Sequence, residues 1–455
     1  MAKTKNMDLT QGSVTKKLMI FALPIILTNL LQHAYTLADR IVVGNFAQNG
    51  KVALAAVGAT SHPINLLLGL FTGIGVGVNV VCANLHGARD AKGLRKCMHT
   101  CLVLATIMGL AMAFVGFFLS EKILVLLGTP RDVLADATLY MQIYFLGVPA
   151  SIMYNFGAAI LRSHGDTRRP MTILGSTGIV NVLLNLVLVI GLGRGVDGVA
   201  IATITAQYLS AAWVLLCLFR DGGEYDLNVR ELKLHKDHAL RVIGVGSACG
   251  INTMLFNIAN VILQSSINSF DDPAIIAGGT AATDLNQIQS LILSGFSMAC
   301  VSFSGQCMGA RKYKRIDQLY RSAVIWPGVV MIVFSLVCTF FPEPLLRMFN
   351  PDADVIAAGV VKLRIICWGV VGYVLADVGV GCMRGMKKST MPTLLNVFGI
   401  CGTRLIWILI FFPMNRTPEF LYLCYPISWC CSSALQTVYF FHCRKQLQAM
   451  NSTPT

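Results

Sequence analysis

The sequence predicts an all-α integral membrane protein of twelve transmembrane helices, arranged as two pseudo-symmetric sets of six. Three observations carry this: a succession of long apolar runs, a repeat at constant offset, and basic residues gathered in alternate loops. Hydrophobic residues make up 55% of the 455 and charged residues only 13%, against about 25% charged in a typical soluble domain. A soluble chain of this length would divide into about three domains, yet no polar linker or low-complexity tract separates any part.

The apolar runs are about 20 residues or longer, enough to cross a hydrocarbon core of about 30 Å as helix. The first, 18–45, holds Pro24; it is too long for a cleavable signal and lacks a small-residue cleavage site. The second, 54–84, contains Gly73-Ile74-Gly75-Val76-Gly77. With no strand before it, this is a close helix-packing segment, not a dinucleotide fingerprint. Runs at 98–119, 138–161, 171–193 and 198–219 complete one half, and 240–268, 275–306, 319–341, 360–383, 392–413 and 420–442 form the other. The expected organisation is a first lobe over 1–219, a linker over 220–239, a second lobe over 240–443 and a tail over 444–455.

The halves repeat at an offset of 222. Gly87, Ala88 and Arg89 recur as Gly309, Ala310 and Arg311, and the same step pairs Gly147 with Gly369, Gly157 with Gly379, Arg162 with Arg384 and Pro170 with Pro392. A register held without gaps over several loops indicates duplication of a whole unit. The net charge of +14 has a topological explanation: 26 of the 36 Lys and Arg lie in the terminal segments and alternate loops, and 8 in the opposite loops, among them Lys362 and Arg364. By the positive-inside rule both termini are cytoplasmic and the number of spans is even. Repeats of six spans keep their orientation, so the halves are parallel repeats. This placement leaves no reason to expect a nucleic-acid partner. The expected setting is a multi-pass protein of the cell (inner) membrane, in contact with its lipids and monomeric.

Fifteen cysteines suggest a metal or disulfide framework, but Cys101, Cys217, Cys249, Cys300, Cys367, Cys401 and Cys424 lie within spans without metal-like spacing. They are expected to be small packing residues. No metal, cofactor or catalytic constellation of nucleophile, base and oxyanion donors is expected, and no enzymatic activity with it. Functional residues are better sought among polar groups that a bilayer excludes. An Asp at mid-bilayer costs about 2.5 to 3.5 kcal/mol on insertion scales, so Asp39, Asp377 and Asp284 need water, a partner or a cation. Gln32, Tyr35 and Asp39 share one helix face by their spacing, while Arg40 is expected to point elsewhere. The plainer alternative for Asp39 is a position at the helix end facing headgroups; for Asp377, one turn after Tyr373, it is an ion pair with Arg404. Asn181 and Asn185 stand one turn apart, with Asn155 and Thr203 in adjacent spans; singly, each reads as interhelical glue. Asn252, Asn257, Asn260 and Gln264 line the seventh span. Met153, Met254, Met298 and Met383, with Phe156, Phe256, Phe296 and Phe303, would either wall an adaptable pocket or fill the core.

Leu23-Pro24, then Asp39-Arg40-Ile41-Val42-Val43-Gly44 and Ala55-Ala56-Val57-Gly58, resemble the opening of multidrug and toxic compound extrusion (MATE) transporters. Leu161-Arg162-Ser163-His164-Gly165-Asp166-Thr167-Arg168-Arg169-Pro170-Met171 and Gly198-Val199-Ala200-Ile201-Ala202-Thr203 are similar to later segments of that family, and the resemblance covers nearly the whole chain. It implies two six-helix lobes forming a V-shaped cavity that alternates access and exports small-molecule cationic substrates against an inward H⁺ or Na⁺ gradient. Asp39 then matches the first-span acid of a coupling-ion site, with Na⁺ as one possible occupant. Gln32, Tyr35, Asn155, Asn181 and Thr203 match its polar network. Asp377 and Tyr373 match the tenth-span pair on the substrate side, to which Met254, Asn257, Asp284, Phe156 and Met153 are added, and Pro24 is the hinge of the first helix. Two positions depart from the pattern: Asn185 stands where one branch has a second Asp, and the seventh span has no acid. A flippase for lipid-linked precursors, of the same superfamily, is the alternative, although a pyrophosphate would favour a cationic cavity and Arg404 is the one cation expected deep in a span.

Overall fold

The computed structural model describes residues 7–47, 50–220 and 227–452, and among these it is helical with no strand. In lipid every backbone polar group must be satisfied within its own segment, and long apolar runs therefore fold as helix. The first half holds α1 (Val14–Phe46), α2 (Gly50–Gly87), α3 (Ala91–Leu126), α4 (Arg131–Ser163), α5 (Arg168–Asn185), which continues as a π turn over Leu186–Gly191, and α6 (Val196–Arg220). The second holds α7 (Lys236–Asn268), α8 (Pro273–Gly309), α9 (Tyr313–Phe340), the short α10 (Pro342–Arg347), α11 (Ala353–Trp368), α12 (Val370–Gly385), α13 (Thr390–Asn396), α14 (Thr403–Ile406), α15 (Pro418–Tyr422) and α16 (Cys424–Ser452). Side-chain caps start several of them: Asp90 accepts from Gly93 N–H at 2.9 Å, and Asp272, before Pro273, accepts from Ala274 N–H at 2.8 Å.

Ten helical segments are long and apolar enough to cross a membrane, and α11 with α12 makes an eleventh, bent by 54° at Gly369. The twelfth, α16, is more polar. The start of α11 changes one expectation. The sequence reading counts Lys362 with the outer loops, at the very edge of the run 360–383, but α11 begins at Ala353 and Lys362 lies well inside it, fully buried. The 222 offset already pointed there, since it maps Lys362 onto Tyr140, inside α4.

The chain packs as two compact units, one of Met1–Asp8 with Leu27–Gly250 and one of Leu9–Ile26 with Ile251–Thr455. Thus α1 changes unit just after Pro24 and α7 changes unit at Gly250. Glycines explain how each half helix is received. A Cβ on Gly73 would meet the backbone of Gly250, and one on Gly77 the backbone of Val242 and Gly246, so α2 and the first half of α7 touch backbone to backbone. In the second unit Gly295, the 222-step equivalent of Gly73, meets Ile26 of α1 in the same way. There the amino-terminal segment is also held by Arg315, which donates to Gly12 O and Gln11 O at 2.9 Å, and by Gln306, whose Oε1 accepts from Leu9 N–H at 3.1 Å.

In the first unit α4 lies among α2, α3 and α6. Gly109 fits against Pro149, and Gly157 against Val214. Phe145 and Phe156 fill the core with Met98 and Met141. In the second unit α8 packs on α11 and α12 through Gly278 against Gly359, and Gly381 against Ser297. The duplication extends to backbone conformation. Arg89 and Arg311 have φ of 57° and 55°, and Gly165 and Lys387 have φ of 93° and 64°, so equivalent loops turn through the same left-handed residues.

Candidate functional site

The first unit contains a cavity of about 230 Å³ to which α1, α2, α4, α5 and α6 all contribute. Asp39 lines it, with Gln32, Tyr35, Asn181 and Thr203. Asn185, the last residue of α5 before the π turn, is fully buried and donates from Nδ2 to Asp39 Oδ1 at 2.5 Å. Asn181 donates to the same Oδ1 at 2.9 Å in the amide orientation that also lets its oxygen accept from Thr203 N–H at 3.3 Å. Thr203 Oγ1 stands 3.5 Å from Oδ2. Among the described residues Asp39 forms no ion pair. Its hydrogen bonds come from neutral donors, two amides and a hydroxyl.

Glycine sets the distance between α1 and α5. A Cβ on Gly178 would fall on the Tyr35 ring, and Tyr35 donates from its hydroxyl to Gly175 O at 2.9 Å. This contact brings Asp39 within reach of both asparagines. The π turn that follows belongs to a class of helix irregularity frequent at functional sites. Arg40 differs from expectation: it lines the same cavity as Asp39, and its Nη2 lies 3.4 Å from Ser61 Oγ of α2. Adjacent positions do not share a helix face, but a long flexible stem carries the guanidinium round it.

Asn155 lies away from this cavity and donates to Ser151 O one turn back at 2.9 Å. Phe156 has no exposed surface and belongs to the core, with Met153 packed against it. In the second unit, Tyr373 stacks on Trp429 with centroids 4.8 Å apart. Asp377 is half-buried; its carbonyl accepts from Ser297 Oγ at 3.0 Å, and its Oδ2 has no hydrogen-bond partner. Met254 and Asn257 on α7 and Asp284 on α8 are likewise half-buried.

The alternative of an Asp377–Arg404 ion pair is not realised among the described residues. Arg404, 1% exposed, donates instead to Asn260 Oδ1 at 2.8 Å and to Ser428 Oγ at 3.3 Å, and lies 4.7 Å from the Tyr425 ring centre. Lys362 approaches the same ring, at 5.7 Å, as well as Tyr422 at 5.2 Å, and donates to Gly279 O at 2.8 Å and Thr283 Oγ1 at 2.6 Å. The second unit thus holds two buried cations about one tyrosine, bonded to neutral oxygens and facing aromatic rings, with the Asp284 carboxylate acting on Lys362. Sequence spacing does not reveal the cluster because its members come from α7, α8, α11, α14, α15 and α16.

The arrangement can be set beside known proteins. "Probable multidrug resistance protein YoeA" of Bacillus subtilis is 25% identical over 401 residues, 86% of each chain. "Probable multidrug resistance protein YpnP" of the same organism is 28% identical over 355 residues, 78% of this chain and 79% of that one. A MOP superfamily transporter from Pyrococcus furiosus, whose binding pocket is described as of reverse polarity, superimposes with a TM-score of 0.89 at 20% identity, over 98% of this chain and 100% of that one. This last likeness establishes the fold. The profile of the MatE family matches residues 24–187 and 248–410, one segment in each half of the duplication, and the chain therefore belongs to the MatE family.

Proposed function

We propose that this protein is a secondary active multidrug exporter that exchanges lipophilic organic cations for H⁺ or Na⁺ moving down an inward gradient, by alternating access. The observation that carries this reading is the Asp39 cavity. An acid within a span, solvated by amides and a hydroxyl and not ion-paired among the described residues, is a place where a proton or Na⁺ is favoured. At about 230 Å³ the space is smaller than the roughly 300 to 1,000 Å³ of a drug-sized pocket, which suits a coupling ion better than a drug. The names of the relatives agree with multidrug transport. The lobes at 1–219 and 240–443 are the moving parts, and both termini are cytoplasmic. Pro24 is the hinge, because it lacks the N–H that would bond Ile20 O and lies just before the change of unit in α1. Asp377, Tyr373, Met254, Asn257 and Asp284 serve the substrate. To drive exchange, the ion must bind with different affinity in the two access states.

The Lys362–Arg404 cluster favours a second reading, in which the carboxy-terminal half receives the anionic part of an anionic or zwitterionic substrate. One experiment separates the two. Inside-out vesicles are given pH and Na⁺ gradients separately and offered a fluorescent lipophilic cation or a matched anion. Accumulation of the cation under one gradient supports cation exchange and identifies the ion. Accumulation of the anion alone replaces it with the second reading, and accumulation of neither refutes both.

A further inference from the structure

We propose that the base of the amino-terminal unit is a zinc site, with Cys82, Cys97 and Cys101 as ligands and His238 as the fourth. Cys97 and Cys101 stand one turn apart on α3, and the α2–α3 turn folds Cys82 back onto them. Sγ of Cys82 is 3.8 Å from that of Cys97, which is 4.0 Å from that of Cys101, and all three lie within 4.8 Å of one another. Sulfurs that share one tetrahedral Zn²⁺ at about 2.3 Å are roughly 3.8 Å apart, so the triangle needs to tighten on one side only.

The fourth ligand would come from elsewhere in the chain. His238, in the first turn of α7, stands beside Cys97, and its Nδ1 is buried with no hydrogen-bond partner among the described residues. A buried ring nitrogen left unbonded is costly, and a metal ion satisfies it. The segment carrying His238 is docked on α3 by bonds of its own: Glu231 pairs with Arg95 at 2.9 Å, its carbonyl meets His99 Nδ1 at 2.8 Å, and His235 N–H donates to Thr100 Oγ1 at 3.1 Å. The segment that carries the imidazole is therefore held against α3, and the ring has only to close onto the ion beside Cys97. Three thiolates and Zn²⁺ leave one net negative charge, next to a turn bearing Arg89, Lys92, Arg95 and Lys96. Three thiols in ordinary packing would account for the sulfur triangle but not for the buried, unbonded imidazole nitrogen of the residue beside Cys97. A bound ion would pin the start of α7 to the α2–α3 hairpin.

The test uses the full chain, reduced and stripped of metal, with Co²⁺ as spectroscopic probe. The expected result is uptake of one equivalent with thiolate-to-cobalt charge transfer and tetrahedral d–d absorption, displaced by Zn²⁺. The triple variant Cys82→Ser/Cys97→Ser/Cys101→Ser loses both bands. His238→Ala keeps the charge transfer, changes the d–d pattern and weakens Co²⁺ binding roughly tenfold or more. Zinc-edge X-ray absorption of the loaded wild type, which needs no variant to fold, is expected to show three sulfur neighbours and one nitrogen. No uptake by the wild type, uptake that survives in the triple variant, or a shell of nitrogen and oxygen alone would overturn the proposal.

Discussion

Asp39→Asn separates function from folding. The two side chains have the same shape, so Oδ1 keeps its donors, Asn185 at 2.5 Å and Asn181 at 2.9 Å, and the new amide nitrogen faces the Thr203 hydroxyl 3.5 Å away. Only the charge is lost. Two bonds to a charged acceptor, about 1.5 to 3 kcal/mol each, become neutral bonds of about 0.5 to 1.5 kcal/mol, a loss of about 2 to 3 kcal/mol. Relief of the cost of an Asp in a span, about 2.5 to 3.5 kcal/mol, offsets this. The unfolding midpoint in detergent therefore moves by no more than about 4 °C. Transport responds differently. A cation about 3 Å from a carboxylate gains about 5 kcal/mol at an effective dielectric of about 20; even if an amide dipole recovers nearly half, about 2.8 kcal/mol is lost, a hundredfold in affinity. Gradient-driven accumulation of a fluorescent lipophilic cation in inside-out vesicles should fall to background. Accumulation at the wild-type rate by folded variant protein would refute the coupling role of Asp39.

Three further outcomes follow from the packing. Gly178→Ala drives a methyl into the Tyr35 ring and should destabilise by about 1 to 3 kcal/mol with reduced efflux, whereas Gly175→Ala, whose Cβ meets only Leu31 Cδ1 at 3.7 Å, should stay within about 0.5 kcal/mol; thermal unfolding compares them. Gly165→Ala, at φ 93° and against the Met7 backbone, should cost about 1 to 3 kcal/mol, while Arg89→Gly, at φ 57°, should be close to neutral because relieved strain offsets added unfolded-state entropy. Lys362→Met exchanges a buried charge for an apolar chain of similar length, so stability should change by less than about 2 kcal/mol; under the second reading, uptake of an anionic probe falls at least tenfold while cation uptake is kept.

Much of this protein is determined by its sequence alone. Apolar runs, the 222-residue offset and the alternation of basic loops define a duplicated all-helical membrane protein, because burial in lipid leaves a chain few ways to satisfy its backbone. Asp39, Asn181, Asn185 and Thr203 are legible for the same reason: polar groups in a span stand out against apolar neighbours. Tertiary structure decided the rest. The sequence shows that Asp39 needs a partner, but the approach of α5 to α1 at Gly178 decides that two asparagines supply it. Arg404 was legible as a buried cation, yet its partners Asn260, Ser428 and Tyr425 come from helices distant in sequence, and no local spacing distinguishes them from Asp377. Lys362 was hidden because α11 begins at Ala353, seven residues before the apolar run, so a residue at the edge of the run lies inside the helix. Cys82 and His238 join Cys97 only because a helical hairpin and a docked linker bring them there. Periodicity reports which face of a helix is buried, and only packing decides which side chains meet across it.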